Sequence, residues 1–506
     1  MSNNFIIVVP FYNVEKWITK CVKSIKLQTI KNFQCYLVDD ISTDNTVQII
    51  KKIIENDDRF HLLVNQEKKY ALKNIYDVII ASGNNAEYII ITLDGDDWFA
   101  SKKVLEILDK KYTDNRCFMT YGSYLEYPSL RKGKFCRPIE DQTIKNAAYR
   151  NSTWVSSHLR TFKRHLWNKI KKEDLLGQDG KFYRMTWDMA FMFPMLEMAG
   201  PMALHIPETL YAYNRQNPLN DDKVNHRLQL KTESKIRSKT NYKQDFVSCD
   251  ILGPSDDISG LGNQLFCVAT AISYGIENDK IPFFPQILTD RHIAKFRDKF
   301  YKKLSSGKQG DLFHNVHSEN NFHYDKIKPM KKNIKLHGYF QSEKYFVKHR
   351  PEIIELLNIS ELKQIVKEKY GDKKDYISIH VRRGDYLTLK DYHHNLDIEY
   401  YKKAISFYDK EHKFLIFSND IAWCKNNFNF IKNAHFSEHK EEWEDMMLMS
   451  LCKHNIVANS SFSCWGAWLN TNEDKKVIAP KKWFGPKYSS KDTKDILPES
   501  WMAIDV

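Results

Sequence analysis

Apolar runs recur through residues 5–93, the first of them continuous rather than alternating, and stretches with helical spacing lie between them. The runs are Phe5–Val9, Phe33–Val38, His61–Asn65 and Tyr88–Leu93. Between them, Glu15–Gln28 sets Trp17, Ile18, Cys21, Val22 and Ile25 at helical intervals, and Thr46–Ile54 repeats the pattern. A strand that is apolar at every position must be covered on both faces. Helical crossovers between parallel strands achieve this, and a half-solvated antiparallel sheet does not. The expected fold is therefore α/β. Such sheets bind ligands beyond the carboxyl ends of their strands, and Pro10, Asp39-Asp40 and Asp94-Gly-Asp-Asp97 all fall there.

A second rhythm of the same kind starts near Phe246. Phe246–Leu252 reads as a strand, followed by Gly260-Leu-Gly-Asn-Gln264 as a turn and an apolar helix from Leu265 to Gly275. Tyr376–His380, Phe414–Phe417 and Asn455–Ala458 are further buried strands. A chain of 506 residues exceeds what one core usually organises. We expect a first domain over 1–220, a basic linker over 221–245, where Lys223, Arg227, Lys231, Lys235, Arg237, Lys239 and Lys243 recur, and a second domain over 246–506.

The formal charge of +13 asks for an anionic partner: nucleic acid, lipid headgroups or phosphorylated substrates. No zinc module, ribonucleoprotein motif or basic-aromatic alternation is present, so nucleic acid is not expected. Nine cysteines form no Cys-x-x-Cys pair, which argues against a zinc ribbon and for reduced thiols. His314, His317, His323, His435 and His439 complete no ligand set and read as surface residues. The N-terminus lacks a basic segment ahead of its apolar run, and no stretch reaches the ~18 apolar residues of a membrane span. The expectation is a cytoplasmic protein with at most peripheral contact at the cytoplasmic membrane face.

Two polar signatures carry chemistry. Asp94, Asp96 and Asp97 crowd three carboxylates behind a strand, which is stable when a cation or donor groups compensate them. A hard divalent ion would accept these oxygens and the phosphates of a substrate; an acidic turn capping the next helix is the plainer alternative. In His380-Val-Arg-Arg-Gly-Asp385, two arginines at a strand end offer forked donors to phosphate oxygens without a metal. Here the plainer alternative is a surface ion pair between Arg383 and Asp385. Gly260-Leu-Gly-Asn-Gln264 permits close backbone approach at a helix start.

Val9-Pro-Phe-Tyr-Asn13, the Cys21–Gln28 helix, Val38-Asp-Asp-Ile-Ser-Thr-Asp44 and Leu93-Asp-Gly-Asp-Asp97 resemble, in order and spacing, the inverting glycosyltransferases of family 2, across about residues 4–215. That resemblance implies a GT-A nucleotide-diphospho-sugar transferase fold and a Mn²⁺ or Mg²⁺ cofactor. It implies a nucleotide-sugar donor, expected to be a UDP-sugar, bound by Pro10, Tyr12, Asn13, Asp40, Lys73 and Asp94. Asp40 would meet the nucleotide base, Asp94 the ribose or sugar side, and Asp96 the metal. Asp188, in Thr186-Trp-Asp-Met-Ala-Phe191, would be the catalytic base, or otherwise a helix cap. The family's usual Glu-Asp is Trp187-Asp188 here, and its Ala-Arg-Asn is Ala71-Leu-Lys-Asn74, so Lys73 would replace an arginine's charge without its fork.

Gly260-Leu-Gly-Asn-Gln-Leu-Phe266, His337-Gly-Tyr-Phe-Gln-Ser342, His380-Val-Arg-Arg-Gly-Asp-Tyr386, Phe417-Ser-Asn-Asp420 and Asn459-Ser-Ser-Phe-Ser-Cys-Trp-Gly-Ala-Trp-Leu-Asn470 resemble the family 11 α-1,2-fucosyltransferases, across about residues 246–500. This implies GT-B-like, Rossmann-like lobes, GDP-fucose as donor, inversion and no cofactor. Gly262, Asn263, His380, Arg382, Arg383, Asp385, Ser461 and Ser463 would line the donor site, with Arg382 on the phosphates. The base of this half stays open between Asp385 and His394. Together the resemblances imply a bifunctional transferase acting on a glycan or lipid-linked oligosaccharide, with fucose added in α-1,2 linkage to a galactose-like acceptor. In the alternative, one half is a degenerate acceptor-binding module.

Overall fold

The structure is a computed structural model that describes residues 3–505 except 219, 221–222, 224, 254–258, 308–311, 314, 410 and 439–440. His314 and His439 thus lie outside the described residues. The chain divides into two compact units, residues 1–244 with 305–312, and residues 245–304 with 313–506.

In the first unit, β1 (Phe5–Phe11) pairs in parallel with β2 (Phe33–Asp39) and β4 (Ile89–Thr92), and β3 (Phe60–Val64) runs parallel beyond β2. The sheet continues through β8 (Arg160–Lys163), β6 (Met119–Tyr127), β9 (Ala203–Asn214) and β5 (Trp98–Phe99), with β7 (Arg131–Lys132) on β6. Every residue of β1 is buried. Phe5, Ile7, Val9 and Phe11 enter one core while Ile6 and Val8 enter the core on the opposite face, as the two-residue period of a strand requires. The Ile18–Lys26 helix covers the first face with Ile18, Cys21, Val22 and Ile25. The Tyr70–Ala81 and Trp187–Ala199 helices cover the second.

The span expected as a basic linker contains a helix, His226–Arg237, whose Ile236 is buried in that second core. Arg150 Nη1 donates to the Ile236 carbonyl at 2.6 Å, and Arg237 Nη1 donates to the carbonyls of Arg150 and Ser152. The basic residues keep this helix solvated on one side, but its apolar stripe makes it part of the first unit.

The second unit holds two sheets in which every pairing is parallel. One has the order β11 (Lys280–Pro282), β10 (Asp245–Cys249), β13 (Ile334–His337), β12 (Asn315–Ser318). The other runs β16 (Ala434–Phe436), β15 (Lys413–Ser418), β14 (Tyr376–Val381), β17 (His454–Ile456), β18 (Val477–Pro480), β19 (Met502–Ile504). This is the expected pair of Rossmann-like lobes. The long helix begins at Leu261, four residues before the apolar run suggested, so Gly262 lies in its first turn and not in a preceding loop. Trp443, Trp465, Trp468 and Trp483 are all buried in the core of this unit. Among the described residues, no helix is long and apolar enough to cross a membrane.

Candidate active sites

The acidic loop of the first unit leaves β4 and turns back toward β1, where the Gly95 amide donates to the Pro10 carbonyl at 3.2 Å. A Cβ at Gly95 would overlap Cβ of Phe11, so only glycine fits between the aspartates. Asp97 is buried; its Oδ1 accepts from the Asn214 amide at 2.6 Å and its Oδ2 from the Tyr211 hydroxyl. The Tyr211 hydroxyl also lies 3.5 Å from Asp94 Oδ2. Asp96 Oδ2 accepts from Asn217 Nδ2 at 2.7 Å. Burial pushes all three carboxyls up. Asp96 rises to about 6, first from burial and then from the charge of Asp94, and Asp97 rises well above the usual carboxylate range. The loop thus holds more negative charge than its surroundings compensate, a deficit that a divalent cation would relieve.

His158 completes the cluster. Its ring stacks on Tyr211 and Tyr213 with centroids 4.5 and 5.4 Å away. Arg160 Nη2, which can only donate, lies 2.8 Å from His158 Nε2, while Nδ1 faces Ser157 Oγ at 3.1 Å. The ring is therefore neutral with its proton on Nδ1. Burial, and then the Arg160 charge, hold it well below the ordinary histidine range. Asp94, Asp97 and His158 offer ligand atoms all within 4.8 Å of one another, the group among the described residues that could hold a metal. Asp96, expected as the metal ligand, is outside this group because its carboxylate is turned to Asn217; Asp94, expected on the sugar side, is within it.

Asp188 lies in the first turn of the Trp187–Ala199 helix. The cap position belongs to Thr186 and no side chain caps the helix, so Asp188 is not a helix cap. Its Oδ2 accepts from Arg160 Nη2 at 2.8 Å, and a fifth of its side chain remains exposed. Asp40 departs from expectation. Its oxygens accept from the Lys69 amide at 2.8 Å, the Tyr70 amide at 3.0 Å and Asn65 Nδ2 at 3.2 Å, with Lys68 Nζ 3.4 Å away. The carboxylate therefore closes the 65–70 loop instead of standing open to a base. Lys73 pairs with Asp77 one helical turn on, which engages the charge expected for phosphates. Asn13 bridges β1 to the loop after β2, accepting from the Thr43 amide at 2.8 Å and donating its own amide to Ser42 Oγ. Tyr12 is exposed beneath Lys68 Nζ. Asn13, Ile41, Tyr70 and Thr186 all have left-handed backbone conformations, so strained non-glycine positions gather along this rim.

In the second unit, Arg382 and Arg383 follow β14 and do different things. Arg383 is an anchor: its amide donates to Asn419 Oδ1, its Nε donates to Asp420 Oδ2 at 3.2 Å, and its guanidinium lies 4.0 Å over Trp423. Arg382 donates to the exposed Asp385 at 2.8 Å, keeps 31% of its side chain exposed, and has a buried Nε with no partner among the described residues. His380 is buried against Phe462, and burial followed by the Arg382 charge drives it down to about 3, so the ring is neutral.

The two lobes of this unit meet where Gly262 abuts Ser461 and Phe462. Nearby, Gln341 Nε2 donates to Asn263 Oδ1 at 2.7 Å. Ser461 is partly exposed at the start of the Ser461–Trp468 helix. Ser463, expected to contact the donor, is fully buried, and its hydroxyl donates to the carbonyls of Ala458 and Ser460. It holds the helix start. Of the two candidate bases, Asp385 is committed to Arg382, and His394 is half-buried and lowered, chiefly by burial.

Sequence reasoning missed His158 and Arg160. They lie far along the chain from the aspartates, but β8 pairs with β4 so that Arg160 stands opposite Thr92. That register carries them to the acidic loop.

The chain matches the family model for glycosyl transferase family 2 over residues 6–170 and that for glycosyl transferase family 11 over residues 285–505. It is 39% identical over 183 residues to the O-antigen biosynthesis glycosyltransferase WbnK of Escherichia coli, covering 33% of this chain and 59% of the relative. With an alpha-1,2-colitosyltransferase of Escherichia coli the identity is 34% over 195 residues, covering 35% and 64% respectively. Glycosyltransferase GlyG of Streptococcus pneumoniae is 34% identical over 238 residues, 43% of this chain and 72% of the relative. The chain spans about three fifths of the length of the two Escherichia coli relatives. It belongs to the glycosyltransferases, as a tandem fusion of a family 2 domain with a family 11 domain.

Proposed function

We propose that the chain is a bifunctional inverting glycosyltransferase of glycan synthesis, cytoplasmic, with at most peripheral contact at the cytoplasmic membrane face. We assign the first activity to residues 1–220 and the second to residues 246–506. In the first, a sugar passes from a nucleotide-sugar, a UDP-sugar in our reading, to an acceptor hydroxyl whose proton Asp188 takes. Arg160 holds that carboxylate, and its remaining exposed edge is what the acceptor meets. Asp94 and His158 would hold Mn²⁺ or Mg²⁺, which when bound neutralises the departing diphosphate.

In the second, fucose passes from GDP-fucose in α-1,2 linkage to a galactose-like acceptor. The uncommitted edge of Arg382 takes the diphosphate charge without a metal, while Arg383, Asp420 and Trp423 hold the strand end that presents it. The α-1,2 linkage in one Escherichia coli relative's name and the O-antigen role in the other's support this reading.

One observation carries the proposal: the two units hold chemically opposite devices for the same leaving group. One is an undercompensated acidic cluster, the other a half-free guanidinium. The test is a donor screen on the whole chain with and without EDTA. Asp188→Asn should silence only the EDTA-sensitive transfer, and Arg382→Ala only transfer from GDP-fucose. If either substitution abolished both activities, independent sites would be wrong. If one unit transferred from no donor, it would be the acceptor-binding module.

A further inference from the structure

Arg160 stands between the two chemical elements of the first site, and no motif assigns it a role. Its side chain is only 5% exposed. A single amino group, Nη2, is shared between two acceptors, His158 Nε2 at 2.8 Å and Asp188 Oδ2 at 2.8 Å. Its Nε is buried without a partner among the described residues. Each of the two N–H bonds of Nη2 thus serves one acceptor, while the buried Nε–H serves none, which leaves the guanidinium an unspent donor for a different arrangement.

His158 shows what that arrangement would serve. With its proton on Nδ1, the ring has one lone pair, on Nε2, and this atom lies 3.8 Å from Asp94 Oδ2. A divalent cation shared by Asp94 and His158 needs that lone pair, which Arg160 occupies. The ring lies stacked on Tyr211 and Tyr213, so in this orientation a cation and Arg160 compete for the same atom.

We propose that Arg160 is a positioning residue that couples the cation site to the acceptor-activating carboxylate. It holds His158 Nε2 when no cation is bound; with Asp94 and His158 holding a cation, the N–H that Arg160 now gives to His158 would be free to join the one already on Asp188. Metal loading and fixation of Asp188 are then one event. The inference rests on the role given to Asp188 above only for its consequence in catalysis; the competition for His158 stands apart from it.

The experiment is a double-mutant cycle on Mn²⁺ affinity, measured by titration calorimetry on the full chain without donor. Removing the competing donor with Arg160→Met should tighten Mn²⁺ binding by about tenfold, the worth of one charge-assisted hydrogen bond. Loss of a nearby positive charge would also tighten binding, so His158→Phe, which keeps the aromatic stack, is the second arm. Competition predicts that most of the gain disappears in the His158→Phe background; equal gains in both backgrounds overturn the proposal.

If Arg160→Met does not fold, pulsed electron paramagnetic resonance of Mn²⁺ on the unmodified protein decides. An imidazole nitrogen coupling that His158→Phe removes supports the handover, and no such coupling refutes it. Asp188→Asn separates the two readings. Retained transfer in that variant ends the base assignment, while the Mn²⁺ cycle still reports on Arg160.

Discussion

The two glycines of Gly260-Leu-Gly262 look equivalent in sequence, but the structure makes them unequal, and a pair of alanine substitutions measures the difference. A Cβ on Gly260 would meet nothing within 4 Å. A Cβ on Gly262 would stand 2.5 Å from both the Phe462 amide nitrogen and the Ser461 carbonyl carbon, and 2.7 Å from Ser461 Oγ, where ordinary contact starts at 3.4 Å. Ordinary contact would require the two lobes to part by the whole difference, about 0.9 Å. Two of the three atoms are backbone at the start of a packed helix, so they cannot swing away as a flexible side chain would. Overpacking of this kind costs about 1–3 kcal/mol. The better helix propensity of alanine returns less than about 1 kcal/mol in a first turn. For a unit of this size the unfolding transition should fall by roughly 2–8 °C. Because Phe462, next to Ser461, packs against His380, KM for the proposed donor, GDP-fucose, should rise in the same variant. Differential scanning calorimetry and initial-rate kinetics on Gly260→Ala, Gly262→Ala and the parent chain test this. Equal behaviour of the two variants would refute the steric argument.

Two further outcomes follow from buried charge. Arg150 and Glu197 form a buried pair at 2.6 Å that also ties down the Tyr242 amide and the Ile236 carbonyl. Glu197→Ala leaves a guanidinium without its counter-charge and should destabilise the first unit by about 3–5 kcal/mol in urea denaturation, whereas a loss below about 1 kcal/mol would show that the pair is not holding the 226–244 segment in place. Asp445 is pushed up to about 7, first by burial and then by Glu444. Against an unfolded value of about 3.9, the native state keeps a proton between pH 4 and 7 that the unfolded chain releases, so this residue's contribution to stability falls as pH rises through that window. Asp445→Asn should therefore gain in melting temperature over the parent from pH 5 to pH 8; parallel curves would show that Asp445 titrates normally.

What the linear sequence carried was local and periodic. The both-face burial of β1, the apolar face of the Ile18–Lys26 helix and the Thr46–Ile54 helix were legible because each follows from residue type and a period of two or 3.6. The clustering of aspartates after β4 and of arginines after β14 was legible because all members lie within a few residues. What the tertiary structure decided was which of those polar groups are free. Asp40 and Lys73 carry the right chemistry at the right spacing, but loop amides saturate the first and Asp77 pairs with the second. Ser463 differs from Ser461 only in which side of one helical turn faces the interior. His158 and Arg160 reach the acidic loop through the pairing of β8 with β4, a contact between strands some 70 residues apart. Composition and spacing say which groups can donate, accept or carry charge. Whether a group is already spoken for depends on partners brought by sheet register and helix packing, and those long-range contacts leave no mark on the local pattern of residues.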